Sequence, residues 1–367
     1  VYGPTLKTDH GVYAIRLAGN MRLGAAQQWY HMNKAQNFSE FREVLNEQQI
    51  SRMTIVYADK YDTIYSLSNG LVPVRNPNYD WKKVLPGDTS ATLWTEFHPV
   101  EDLPQVLNPE CGYVYNTNNS AYEMTGPDCN PKPEDHDPTM GYDMRINNRG
   151  ERFKELMLGY NEVSWQDFMD IKYDIQYPSD TAIFMRDIDI SQLMTLNPDK
   201  NTKVKEGLEL IQSWDRRFDK ENRAAALTIL TLLNMYNDSG DPMQTIDEDR
   251  IANKEWIVRN LDKAQDFLKE YFGRIDPKLG EWFKLQRGDK EYPLSGGPDV
   301  IRAAYPKAYG DEGKYRTWVG DSYIQMVKFT PDGPEINTVS PFGASNKPNS
   351  DHYTDQMEMY SNMEHKT

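Results

Sequence analysis

The sequence predicts an α+β fold. Three observations carry that expectation: strand–turn–strand patterns fill the start of the chain, helical spacing dominates from Ser164 to Gly273, and alternating apolar residues return after Tyr315. Tyr2-Gly3-Pro4-Thr5 and Val12-Tyr13-Ala14-Ile15-Arg16 alternate like two strands joined by a polar turn over Lys7–Gly11. From Ala25 to Asn37 the spacing of Ala26, Trp29, Tyr30 and Asn33 is helical, and Ser39 is placed to cap a second helix over Glu40–Glu47. Thr54–Asp59 and Thr63–Leu67 form a hairpin pattern around Lys60-Tyr61-Asp62.

Leu107–Ser120 reads as a buried strand that ends in a burst of amides. Asn108-Pro109 and Gly112 punctuate it, Tyr113-Val114-Tyr115 supply β-propensity, and Asn116, Asn118 and Asn119 follow. The plainer reading of the asparagines is turn chemistry. The sharper one is that a carboxamide N–H at a strand end donates to a developing oxyanion, which is worth roughly 2.7–4 kcal/mol in a preorganised site.

Thr125–Thr139 is a long loop rich in Pro, Asp and Glu; its carboxylates suit a solvated acidic loop or a Ca²⁺ site. Tyr142–Leu158 has the pattern of an amphipathic helix, and Ser164-Trp165-Gln166-Asp167 reads as a capping box opening the helical half. Further helices are expected over Val204–Trp214, Asn222–Tyr236 and Asp249–Phe272, with Trp214 packing and Asp215 capping. Gly296-Gly297-Pro298-Asp299 returns the chain to strands, and Gly320–Phe329 alternates strongly.

A length of 367 residues allows a large core and suggests about two or three domains. Hydrophobic content of 38% is low, and the 23 Tyr and 8 Trp make up part of the deficit, so long, polar, structured loops are expected. The net charge of −15 argues against nucleic acid or an anionic membrane as partner, because both would repel it. No apolar run approaches the roughly 18 residues that cross a bilayer. The chain opens in an apparent mid-strand, without an initiator Met or signal-peptide pattern, and so reads as part of a longer protein. Cys111 and Cys129 bracket the asparagines; a disulfide suiting an exported protein and two reduced buried thiols both fit. The six histidines show no zinc-ligand spacing, and no phosphate-cradling glycine loop or Gly-x-Ser-x-Gly elbow is present.

Taken in order, several motifs resemble one family. They are Gly3-Pro4, Gln28-Trp29, Gly70-x-x-Pro73-x-Arg75, Asn108-Pro109…Gly112…Asn116-x-Asn118-Asn119, Arg149-x-x-Arg152, Gly320-x-Ser322-Tyr323, and Gly343-x-Ser345-x-x-Pro348-x-Ser350-Asp351-His352-Tyr353-x-Asp355-Gln356. Together they resemble the β-chain of penicillin acylase-type N-terminal-nucleophile (Ntn) hydrolases, nearest the acyl-homoserine-lactone and aculeacin acylase branch. Asp351 stands where that family usually has proline.

The resemblance implies a four-layer αββα sandwich in which residues 1–367 are one β-chain portion and 164–273 a helical layer or insertion. It implies a periplasmic or extracellular bacterial amidohydrolase whose precursor cuts itself, leaving an α-chain as partner, and whose substrate is an N-acylated small molecule. It implies that no cofactor takes part in catalysis. The family's nucleophile is the first residue of the β-chain, activated by its own amine; Val1 has no nucleophilic atom, so the nucleophile is expected upstream of it. By the same resemblance Asn118 is an oxyanion donor and Arg149 lies close to the nucleophile, against the plainer reading of Arg145, Arg149 and Arg152 as a solvated helix face. Asp137 lies near a position that supplies one structural Ca²⁺ ligand, and His352 with Asp355 forms a structural corner. The alternative is an exported structural or binding protein that keeps the scaffold without activity.

Overall fold

In the computed structural model, residues 3–20, 22–145, 147–179, 183–184, 188–238 and 254–367 are described. They form two compact units, Val1–Ile146 and Asn147–Thr367, and mix helices with sheets as an α+β chain does.

In the first unit, β1 (Thr5–Thr8) and β2 (Gly11–Ala14) pair antiparallel with Thr8 opposite Gly11. Lys7 and Thr8 are therefore strand residues and the turn is only Asp9-His10, with Gly11 at φ 138°. Tyr2 lies outside the described residues. α1 (Ala25–Lys34) buries Gln28 and leaves Trp29 46% exposed, so the polar member of that pair is the interior one. Gln28 Nε2 donates to the Val44 carbonyl at 2.9 Å, and Oε1 accepts the Gln49 and Ile50 N–H groups, so a buried amide ties α1 to the end of the next helix. That helix, α2 (Phe38–Leu45), is capped by Asn37, whose side chain accepts Glu40 N–H. Ser39 is inside it, because capping from Asn37 turns Phe38, Phe41 and Leu45 toward the core.

β3 (Arg52–Ala58) and β4 (Ile64–Gly70) form the expected hairpin, with Asp62 at φ 61° and Asp59 Oδ1 accepting the Tyr61 and Thr63 N–H groups. β5 (Gln105–Leu107) adds to β4. The buried strand expected over Leu107–Ser120 is not formed: the ladder ends at Leu107, where Asn108 adopts φ 45° and Pro109 has no N–H to donate. Asn108 Oδ1 instead accepts Ile64 N–H at 2.8 Å. The acidic loop holds three single-turn 3₁₀ segments, Pro127–Cys129, Pro133–Asp135 and Pro138–Met140, each opened by proline.

The second unit begins with α3 (Asn148–Leu158), six residues later than the sequence pattern suggests. Asn147 sets the start by accepting Gly150 N–H at 2.9 Å. α4 (Trp165–Lys172) carries both halves of its capping box. A minimal hairpin follows, β6 (Ile183–Phe184) with β7 (Ile188–Asp189). After it come α5 (Ser191–Thr195), α6 (Lys205–Gln212), α7 (Ala225–Asp238) and α8 (Lys254–Phe272). The part of the last expected helix before Lys254 lies outside the described residues. Trp214 is buried, and Asp215 Oδ1 accepts from Arg217 N–H and Asn222 Nδ2.

After α9 (Leu279–Trp282), β8 (Phe283–Arg287) and β9 (Lys290–Pro293) join β10 (Ala304–Ala308) and β11 (Tyr315–Gly320) in one sheet ordered β10-β11-β8-β9. The β11–β8 pair is parallel. The alternating run over Gly320–Phe329 is interrupted: β11 stops at Gly320, and β12 (Ile324–Thr330) forms a separate hairpin with β13 (Gly333–Val339). Asp321 makes the break, held by Lys172 Nζ at 3.2 Å and by the Tyr360 hydroxyl of α10 (Met357–Ser361) at 3.3 Å. The helices from 175 onward share one core with these strands, in which Leu208, Leu227, Leu261, Trp282, Phe283 and Ile324 are all buried. Among the described residues no helix is long and apolar enough to cross a membrane.

Candidate active site

The asparagine loop of the first unit is closed from both sides. Tyr115 N–H donates to the Met124 carbonyl at 2.8 Å, the Thr125 hydroxyl donates to the Tyr113 carbonyl at 2.6 Å, and a Cys111–Cys129 disulfide spans the base. Gly126 packs so close to that disulfide that a Cβ would meet Cys111 Sγ at 2.6 Å. Asn130 Oδ1 accepts both Met124 and Thr125 N–H groups.

Within this frame the three amides divide. Asn116 Oδ1 accepts Asn118 N–H at 3.1 Å. Asn119 Oδ1 accepts Thr117 N–H at 2.8 Å, while its Nδ2 donates to the Glu123 carbonyl. Turn chemistry accounts for these two. Asn118 differs in its backbone, which lies in the left-handed region at φ 62°; like Asn116 it is exposed. That conformation is unfavourable for most side chains and tolerated by asparagine. Its backbone N–H is fixed by Asn116, so the base of the side chain is fixed as well.

Asp137 serves as the N-cap of the Pro138–Met140 turn, accepting Thr139 N–H at 2.7 Å, and its Oδ2 lies 3.5 Å from His98 Nε2. Among the described residues no group of three His, Cys, Asp or Glu side chains converges as a metal cage. Asp137 is engaged in local structure, and the described residues do not by themselves fit a Ca²⁺ site. Arg75 of the Gly-x-x-Pro-x-Arg motif anchors the end of this loop, donating from Nη1 to the Thr139 and Met140 carbonyls.

In the second unit Arg149 does not lie on the solvated helix face of the plainer reading. Its Nε donates to Asp299 Oδ1 at 2.9 Å, and both side chains are about one-fifth exposed. Asp299 Oδ2 accepts Asn148 N–H, fixing the first turn of α3. Burial raises the Asp299 pKa despite the opposing Arg149 charge and the Asn148 hydrogen bond. Arg152 is also interior, bidentate to Asp174 at 3.1 and 3.0 Å and bonded to Glu155. Only Arg145 fits the solvated description, exposed and paired with Asp143. Sequence reasoning missed Asp299; its signal was an acidic residue closing Gly-Gly-Pro-Asp, where φ 58° favours Asp or Asn.

His352 Nδ1 lies 2.8 Å from Asp355 Oδ2, and the Ser345 N–H donates to the His352 carbonyl. A Cβ at Gly343 would meet that carbonyl at 2.3 Å. The ring is largely solvent-facing, so this geometry is that of a chain corner.

The penicillin amidase family model matches residues 1–367, and the chain belongs to that family. Two acyl-homoserine lactone acylases PvdQ, from Pseudomonas fluorescens and Pseudomonas putida, are 22% and 21% identical over 95% of this chain and 48% of their own lengths. The chain thus spans about half the length of these relatives. Penicillin G acylase of Escherichia coli is 30% identical over 124 residues, which are 33% of this chain and 14% of that protein. The structure of a thermostable penicillin G acylase from Alcaligenes faecalis superposes with a TM-score of 0.60 at 19% identity, covering 100% of this chain and 74% of the other; this likeness concerns the fold.

Proposed function

We propose that this chain is the larger part of the β-chain of an exported amidohydrolase that removes an acyl group from an N-acylated small molecule. The observation that carries the reading is Asn118, an exposed amide held in a left-handed backbone on a disulfide-closed loop, in a chain matched over its whole length by the penicillin amidase family.

In the proposed reaction an N-terminal Ser, Thr or Cys, exposed by self-cleavage of a precursor and supplied from outside this stretch, attacks the amide carbonyl. The Asn118 Nδ2 group and a backbone N–H hold the oxyanion; the amine leaves, and water then releases the acid. Arg149 is proposed to act beside the nucleophile, set in place by Asp299. The four-layer αββα arrangement, an α-chain partner and a periplasmic or extracellular location belong to the same proposal. The Cys111–Cys129 disulfide supports export, since such bonds persist in oxidising compartments.

The test uses the protein as isolated, with any accompanying chains. N-terminal sequencing of a β-chain that begins with Ser, Thr or Cys, together with release of acid from a panel of N-acyl amides, is the expected result. In that protein Asn118→Ala lowers kcat by roughly 10²–10³. Near-normal turnover would remove Asn118 from the mechanism. A mature protein with no N-terminal nucleophile on any chain would leave a scaffold that binds without hydrolysing.

A further inference from the structure

The sheet of the second unit carries a basic cleft apart from the residues proposed for acyl transfer. β11 and β8 run parallel with Arg316 opposite Lys284, and Arg316 Nη1 donates to Gln286 Oε1 at 2.8 Å. Beside them opens a cleft of about 570 Å³, lined by Arg287, Arg316, Ser322, Ser340, Asn346 and Phe342 among others. Arg287 sits over the Tyr353 ring at 4.0 Å, with Nη2 donating to Asn346 Oδ1 at 2.8 Å and Nη1 to the Tyr353 carbonyl at 3.1 Å.

Among the described residues neither arginine is paired with a carboxylate; their hydrogen bonds all go to neutral oxygens. In a chain with 56 acidic against 41 basic side chains, two such arginines on one cleft are a local reversal of sign. A third lies behind the wall. Arg302 is fully buried, its guanidinium 4.7 Å from the ring of Tyr360, which also lines the cleft, and among the described residues its Nε and Nη1 meet no hydrogen-bond partner. The acid of the wall, Asp321, is already held by Lys172 and the Tyr360 hydroxyl.

We propose that this cleft binds a small organic anion, a carboxylate or phosphate monoester joined to an aromatic or aliphatic body. Each guanidinium has five N–H donors, of which the contacts above take two from Arg287 and one from Arg316, leaving donors for charge-assisted bonds to an anionic oxygen. Phe342 and the exposed Trp318 line the cleft for the apolar body, Ser322 and Ser340 supply hydroxyls, and the volume is that of a small-molecule site. The site uses none of Asn118, Arg149 and Asp299, so it stands or falls apart from the hydrolytic reading.

The test is a ¹⁹F NMR titration of the whole protein as isolated with 4-fluorobenzoate, using neutral 4-fluorobenzamide as the uncharged control and phenyl phosphate as competitor. Expected are saturable binding of the benzoate, none of the benzamide, and at least about tenfold weaker binding in Arg316→Met. Whichever anion saturates at the lower concentration identifies the head group. Equal binding of benzoate and benzamide, no saturable binding of either anion, or unchanged affinity in an Arg316→Met protein that melts like wild type would overturn the proposal. If Arg316→Met does not fold, Ser322→Asp at the exposed rim serves instead. It should abolish benzoate binding, and unchanged binding there is equally fatal.

Discussion

Arg149 Nε donates to Asp299 Oδ1 at 2.9 Å although the two residues lie 150 positions apart, and the other oxygen of the same carboxylate accepts the Asn148 backbone N–H at 3.0 Å. One acid thus fixes both the guanidinium and the first turn of the helix that carries it.

That placement has a pH signature. Burial raises the Asp299 pKa, so the folded state binds this proton more tightly than the unfolded chain. Between the ordinary carboxylate pKa and the raised one, stability therefore falls as pH rises. The melting temperature of wild type minus that of Asp299→Asn should increase as pH is lowered through this window; a difference that stays flat or shrinks on acidification would show that burial is not the governing influence.

Asn118 offers a way to separate backbone from amide. Alanine in its left-handed conformation costs about 1 kcal/mol, whereas glycine adopts φ 62° freely. Asn118→Gly should melt like wild type and Asn118→Ala a few degrees lower, while both lose the same roughly 10²–10³ in kcat. Retained activity in the glycine variant would mean that the loop, not the carboxamide, matters.

Arg152 carries the larger structural burden of α3. With its side chain 16% and that of Asp174 9% exposed, removing the guanidinium leaves a buried carboxylate unpaired. Arg152→Ala should lower the unfolding free energy by about 3 kcal/mol in a denaturant titration. Arg152→Lys should recover only part of that, because an ammonium cannot reproduce the fork to both Asp174 oxygens.

Reduction probes the asparagine loop. Cys111 and Cys129 are 18 residues apart, and closing a loop of that size restricts the unfolded chain by about 3 kcal/mol. A Cys111→Ala/Cys129→Ala variant should show that loss and become insensitive to dithiothreitol. Wild type should lose stability on reduction.

Local chemistry by itself determined much of this protein. The hairpin over 54–67, the capping box at Ser164 and the helices after Asn201 are specified by periodicity and capping residues, whereas the corner at His352, a contact three residues long, was legible only through the family resemblance. The ordered motifs likewise sufficed to point to the penicillin amidase family. Tertiary structure decided what depends on distant partners. Asn108 ends β5 because its side chain reaches Ile64, 44 residues away, and Asp321 breaks an alternating run because Lys172, 149 residues away, holds it. Arg149 and Arg152 share a helix with exposed-looking spacing, yet both are interior because Asp299 and Asp174 are folded against them. A charge pattern along one helix cannot disclose which charges will meet a partner, since the partner's approach is fixed only when the core closes.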